Sequence, residues 1–279
     1  MRFDLRANSP DMITPVHQFP GDEAISPALY RSVIYGGYVT TTATLYGAAR
    51  AIGLEVDPEA FERWKRIGAA AGLLDDFLDE SPDPLLSQQL YDQGLANQIH
   101  DSRPVHLPSG GDERLIPAVN MMLASVSNVP ELRKERLINA ARSIGRIALT
   151  KAAAEDLETY TDILKQEAID SSNLVRYSAS GAMLDQPEFD VFADWCDQAI
   201  ALGTLYDHAR DLPVDSKLGR TLVEPSLKNQ LRLGAQAAIP FGRLMKTHTS
   251  RRASRAAIAA RMRYSPLPTK RLFTRISRQ

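Results

Sequence analysis

The sequence predicts an all-α protein. Apolar residues recur at helical spacing along most of the chain, with no convincing period-two strand and no Asn-Gly hairpin turn. Two long apolar segments open on helix-start signals and end in clusters of aspartates. A hydrophobic content of 44% with 24% charged residues over 279 positions suits a folded globular chain with a sizeable core.

Residues 1–27 carry several prolines and no sustained period, which predicts an extended or poorly ordered N-terminal arm ahead of a single all-α domain over 28–279. From Ala28 to Ile52, four tyrosines sit among Gly, Ala and Thr, a composition suited to a closely packed helix that Gly36-Gly37 weakens. Asp57-Pro58 marks the next helix start, with Asp57 as N-cap and Pro58 at the first helical position. That helix runs through Trp64 and the small residues Gly68 to Gly72 to an acidic end near Asp79, where Ser81-Pro82-Asp83-Pro84 stops it. Leu85 to Gln98 reads as a short helix, and His100 to Gly111 as a loop long enough for a lid or linker. Helical periodicity then runs from about Leu115 to Glu167, restarting at Val129-Pro130-Glu131. Ser171 to Leu184 carries the small-residue patch Ser178-Ala179-Ser180-Gly181-Ala182. Pro187 opens a long helix through Trp195 that ends or bends near Asp211, because Pro213 disrupts a helix interior, and Asp215 then projects from the following turn.

Several function classes drop out. One cysteine, Cys196, excludes an intramolecular disulfide and a multi-thiolate metal site, and reads as a buried small hydrophobe. The start lacks a signal-peptide pattern and no apolar run reaches bilayer length, so a cytoplasmic, soluble protein is expected. There is no Gly-x-Gly-x-x-Gly, Walker or Ser-His-Asp signature, and the histidines show no metal-ligand spacing.

The chemistry sits in two acidic arrays. On a helix, Asp75 and Asp79 lie four residues apart and Asp76 and Asp79 three apart, so they share a face. Asp207, Asp211 and Asp215 recur every four residues. Clustered carboxylates repel one another, and a divalent cation between them relieves that repulsion. The alternative is a solvated acidic helix end, with the second array paired to Arg210 and Lys217. His208, inside the second array, reads as a neighbour on another face because hard Mg²⁺ prefers oxygen.

An Asp-Asp-x-x-Asp helix end followed by oxygen ligands at i, i+4 and i+8 resembles the class I isoprenoid synthase fold. Within that fold, Arg210-Asp211-Leu212-Pro213-Val214-Asp215 with Gly219-Arg220-Thr221-Leu222-Val223-Glu224-Pro225 is similar to the squalene and phytoene synthase family. Leu174-Val175-Arg176-Tyr177-Ser178-Ala179-Ser180-Gly181 resembles the stretch that lines that family's central cavity. The resemblance covers roughly residues 60 to 225.

The resemblance implies a helical bundle around a central cavity and a Mg²⁺-dependent prenyltransferase that ionises an allylic C15 or C20 prenyl diphosphate and condenses two such molecules head to head. Asp75, Asp76, Asp79, Asp207, Asp211 and Asp215 would be the metal ligands and catalytic residues. Arg210, Arg220, Arg176 and Tyr177 are the candidate substrate-binding residues, although Arg210 serves equally as a structural partner of Asp207 or Asp211. Where the family carries an arginine and a tyrosine before the first array, this chain has Gly68 to Gly72, which favours the alternative of a terpene synthase using one diphosphate. A further alternative is a non-catalytic scaffold or assembly factor. After Glu224 the chain has no acid, while bases accumulate from Arg243 to Arg278. No nucleic-acid module surrounds them, so the two readings of this segment are a peripheral contact with anionic membrane and a solvated helix with a frayed end.

Overall fold

The computed structural model describes residues 40–80, 85, 125 and 129–264, with the backbone alone described at 40, 41, 69, 71–80, 148 and 262–264. Its helices are α1 (Thr40–Ile52), α2 (Pro58–Glu80), α3 (Glu131–Ala152), α4 (Leu157–Tyr177), the single turn α5 (Gly181–Leu184), α6 (Glu188–Lys217), α7 (Leu227–Gln236), α8 (Ala238–Lys246) and α9 (His248–Tyr264). No strand occurs among the described residues, so the all-α class holds. The N-terminal arm, the short helix from Leu85 to Gln98 and the loop from His100 to Gly111 lie outside the described residues, Leu85 apart.

Local signals explain most boundaries. The Asp57 carboxylate accepts the Ala60 N–H at 2.8 Å and caps α2, with Pro58 at the first position. α3 starts at Glu131 directly after Pro130. The helical run expected to continue to Glu167 is instead broken after Ala152, because Asp156 accepts the Thr159 N–H at 2.8 Å and starts α4 afresh. Ser171 to Tyr177 form the last two turns of α4, and the small-residue patch begins only beyond them.

The long helix opens after Pro187 as expected, but it does not end at Asp211. α6 passes through Pro213 to Lys217, so Asp215 belongs to its last turn. Proline removes one hydrogen bond and crowds the preceding turn, at a cost of about 3 kcal/mol. Against that, Leu205, Ala209 and Leu212 are buried, and each large side chain so placed contributes roughly 1.5–3 kcal/mol. The helix also ends in a well-formed cap. Gly219, at φ +72°, lets the Arg220 N–H reach the Asp215 carbonyl at 2.8 Å and the Gly219 N–H reach Ser216.

α6 is the strut against which α1, α4, α7, α8 and α9 pack. One core gathers Leu45, Trp64, Val175, Phe192, Trp195 and Leu244, with Trp64 stacked on Phe192 at 5.4 Å. A second gathers Tyr160, Leu164, Leu205, Leu212 and Leu233, and Leu202 touches both. Cys196 is buried in the first, and burial pushes its thiol up in pKa, in keeping with a small hydrophobe.

In the basic C-terminal segment, α9 turns Arg251, Arg252, Arg255 and Arg261 to solvent and packs by its small residues. α9 buries Ala253, Ala257 and Ala260 and lies along α1 so closely that a Cβ on Gly47 would meet the Ala256 carbonyl oxygen at 3.0 Å and Ala260 Cβ at 3.1 Å. Residues 265–279 lie outside the described residues. No described helix is long and apolar enough to cross a membrane.

Candidate functional site

The first array rides on the C-terminal end of α2. Ala60, Phe61, Trp64, Ile67 and Ala70 bury one side of that helix, and Asp75, Asp76 and Asp79 follow in its last two turns. Their side chains lie outside the described residues, and so does any contact they make with the second array. The helical backbone through Glu80 keeps the i+3 and i+4 spacing that puts these aspartates on one face.

α2 and α6 start at the same end of the bundle. Gln186, just before α6, accepts the Glu55 N–H at 2.8 Å and donates to the Glu55 carbonyl at 2.9 Å. Beyond that junction the helices touch again at Trp64 and Phe192, and each carries its aspartates towards its C-terminus.

On α6, the spacing of four residues turns the array gradually inward. The Asp207 and Asp211 side chains are 62% and 44% exposed, whereas Asp215 is 11% exposed. Arg210 forks onto Asp211, donating from Nε at 2.9 Å and from Nη2 at 2.6 Å, and its Nη1 lies 3.4 Å from Asp207. The hydrogen bonds to Asp211, with the charges of Asp211 and Asp207, raise the arginine pKa further above its ordinary value despite partial burial. Arg210 thus occupies the structural pairing role that its sequence position left open.

Asp215 closes the array on the core side. Arg220 Nη1 stands 3.6 Å from its Oδ1, and His208 Nδ1 3.4 Å from its Oδ2. His208 and Asp215 are seven residues apart on α6, and Tyr160 and Glu167 are seven apart on α4. These four meet: Tyr160 Oη lies 3.2 Å from His208 Nδ1, and Glu167 Oε2 lies 3.8 Å from His208 Nε2. Lys151 from α3 donates to Glu167 at 3.3 Å. Burial pushes the Glu167 carboxyl up, but Lys151 and His208 pull it down further, so it titrates below its ordinary range. Burial, then the charges of Asp215 and Glu167, push the Tyr160 phenol up, which keeps it protonated. The two His208 nitrogens face different carboxylates, an arrangement that ties α4 to α6 rather than converging on a cation. Among the described residues no group of three or more His, Cys, Asp or Glu side chains is placed to hold a metal.

The family-like stretch before α5 is a helix-end knot. Arg63 donates to the Ser178 carbonyl at 3.3 Å, Arg133 to the Ala179 carbonyl, and Ser180 to Asp57. Cations just beyond the C-terminus of α4 also suit the negative end of its dipole. Ala179 is fully buried in the first core, while a Cβ on Gly181 would meet nothing within 4 Å. Arg176 donates to Asp197 at 2.7 Å, and Arg136 stands 5.5 Å from the Tyr177 ring centroid. Asp197 precedes Asp207 by ten residues, about 15 Å along the helix. The structure therefore gathers Arg210 and Arg220 with the second array and places Arg176 and Tyr177 elsewhere.

Sequence reasoning missed Lys151, Tyr160 and Glu167. The matching seven-residue spacings on α4 and α6 are the signal that would have found the last two. The chain matches no family model, no curated protein and no solved structure.

Proposed function

We propose that the protein is a Mg²⁺-dependent isoprenoid synthase of the class I fold that ionises an allylic prenyl diphosphate and joins two such molecules head to head. The observation that carries this reading is the placement of two aspartate arrays at the C-terminal ends of α2 and α6, helices whose N-termini meet. Asp207 and Asp211 are exposed carboxylates, the hard oxygen donors that suit Mg²⁺, and with Asp75, Asp76 and Asp79 they would hold the ion. Bound there, Mg²⁺ supplies the positive charge that turns a diphosphate into a competent leaving group. Arg210 reaches solvent and can give its planar fork to a diphosphate in place of Asp211. Arg220 and His208 hold Asp215 and so fix the end of α6 beneath the array.

A terpene synthase using one diphosphate shares every part of this reading up to ionisation. A second reading has its own support: Asp207, Asp211 and Asp215, the three carboxylates of the α6 array, have cationic or imidazole partners within the chain, as suits a non-catalytic scaffold. Incubation with geranyl, farnesyl and geranylgeranyl diphosphates and Mg²⁺, followed by mass spectrometry and an assay of released diphosphate, separates the readings. The enzyme reading expects a hydrocarbon or prenyl product with at least one substrate, and a loss of orders of magnitude in turnover for Asp211→Asn. A folded wild-type chain that releases no diphosphate from any of the three rejects it.

A further inference from the structure

Charge is separated along this chain. Residues 1–224 hold all 34 acids and 20 of the 33 Lys and Arg, whereas residues 225–279 hold 13 bases and no acid. Such asymmetry between two parts of one chain points to an anionic partner. The described helices of the basic part show what else that partner must satisfy. α7 buries Leu233 and turns Leu227 and Leu231, one turn apart, outward at 70% and 65% exposure. Lys228 and Arg232 run beside them, also exposed. α8 buries Pro240 and Leu244 and leaves Ile239 and Phe241 more than half exposed, with Arg243 and Lys246 in its last turn. Ala237 ends α7 and begins α8 in helical conformation, and both helices pack on α6, so the two follow each other directly along it. Large apolar side chains and bases thus stand exposed together along two successive helices that contain no acid.

We propose that the outward face of α7 and α8 docks the protein on an anionic lipid surface. Leucine, isoleucine and phenylalanine side chains enter the boundary between headgroups and acyl chains, and the flanking Lys and Arg pair with the anionic headgroups. Nucleic acid fits less well. Its phosphates would use the bases, but exposed aliphatic leucines gain nothing there, and stacking of single-stranded bases takes aromatic rings, of which this face offers Phe241 alone. The proposal rests on surface composition and exposure, and stands whether or not the isoprenoid reading holds.

The test mixes the full chain with vesicles of phosphatidylcholine alone, or with phosphatidylglycerol added, and measures the bound fraction by sedimentation. Binding is expected only where phosphatidylglycerol is present, and is expected to weaken with salt. Lys228→Gln with Arg232→Gln should lower the partition coefficient roughly 25-fold, at about fivefold per charge removed. Leu227→Ser with Leu231→Ser should lower it by roughly tenfold or more, with the circular dichroism and melting temperature held, because both leucines are already exposed. Absence of binding by the wild type, or equal binding to both vesicle types, overturns the proposal without reference to any variant. Preference for RNA or DNA over vesicles, unchanged in the leucine variant, also overturns it. So does self-association that the leucine variant abolishes while vesicles go unbound.

Discussion

Ionisable side chains of three helices meet around His208, and the consequence can be read in acid. Glu167 lies between Lys151 and His208, and its carboxyl titrates below the ordinary value of 4.5 once their attraction outweighs burial. As pH falls, the unfolded chain protonates this group first. Its contribution to stability is therefore complete above about pH 4.5 and is lost as pH drops through the lower folded value. Glu167→Gln should lower the melting temperature near neutrality and flatten its fall between about pH 5 and pH 3. Melting curves of the two proteins that fall in parallel through that window would remove Glu167 from the account. The sequence showed the Asp57 cap plainly because its partner is three residues away. It did not show Glu167, whose partners stand 16 and 41 residues away on other helices. Pairing at that range is decided by how helices pack, which single-residue propensities do not encode.

Among the helices, α6 carries the clearest departure from expectation. Proline ordinarily ends a helix, and that local rule misplaced the end of α6 by six residues, from Asp211 to Lys217. The rule lost to tertiary burial of Leu212 and to the left-handed Gly219 that caps the last turn. The same Gly219-Arg220 pair had carried part of the family resemblance, and here it has a complete structural reason, since the glycine permits the cap and the arginine meets Asp215. If α6 is continuous, Pro213→Ala restores the hydrogen bond to Ala209 and relieves the ring's crowding, worth about 3 kcal/mol, and gives back about 0.5–1 kcal/mol through a freer unfolded chain. The net expectation is a gain of roughly 2 kcal/mol in unfolding free energy, measured by denaturant titration. A neutral or destabilising result would mean that the helix ends before Pro213. The starts of α2, α3 and α6 were legible because Asp-Pro, Pro-Glu and Pro-Glu at 57–58, 130–131 and 187–188 act locally.

At the scale of the molecule, helical periodicity gave the all-α class correctly, whereas the tight α1–α9 contact was not visible. Alanines and Gly47 at that contact carry too little hydrophobicity to mark a face, yet they set how closely the backbones approach. The aspartates of both arrays were legible as clusters of like charge, but which of them Arg210 would take was not. The central claim is that the arrays on α2 and α6 act together on Mg²⁺ and a prenyl diphosphate. A ligand that binds only the folded chain stabilises it by about 2.7 kcal/mol at a hundredfold excess over its dissociation constant. For a chain of this size that raises the melting temperature by roughly 5–10 °C. The most direct measurement is the melting temperature of the wild type, Asp76→Asn and Asp211→Asn with Mg²⁺, with farnesyl diphosphate, and with both. The account predicts a rise of that size in the wild type only when both are present, and a clearly smaller rise in each variant. A wild type whose melting temperature does not respond to Mg²⁺ together with the diphosphate, or an equal response in all three proteins, would contradict it.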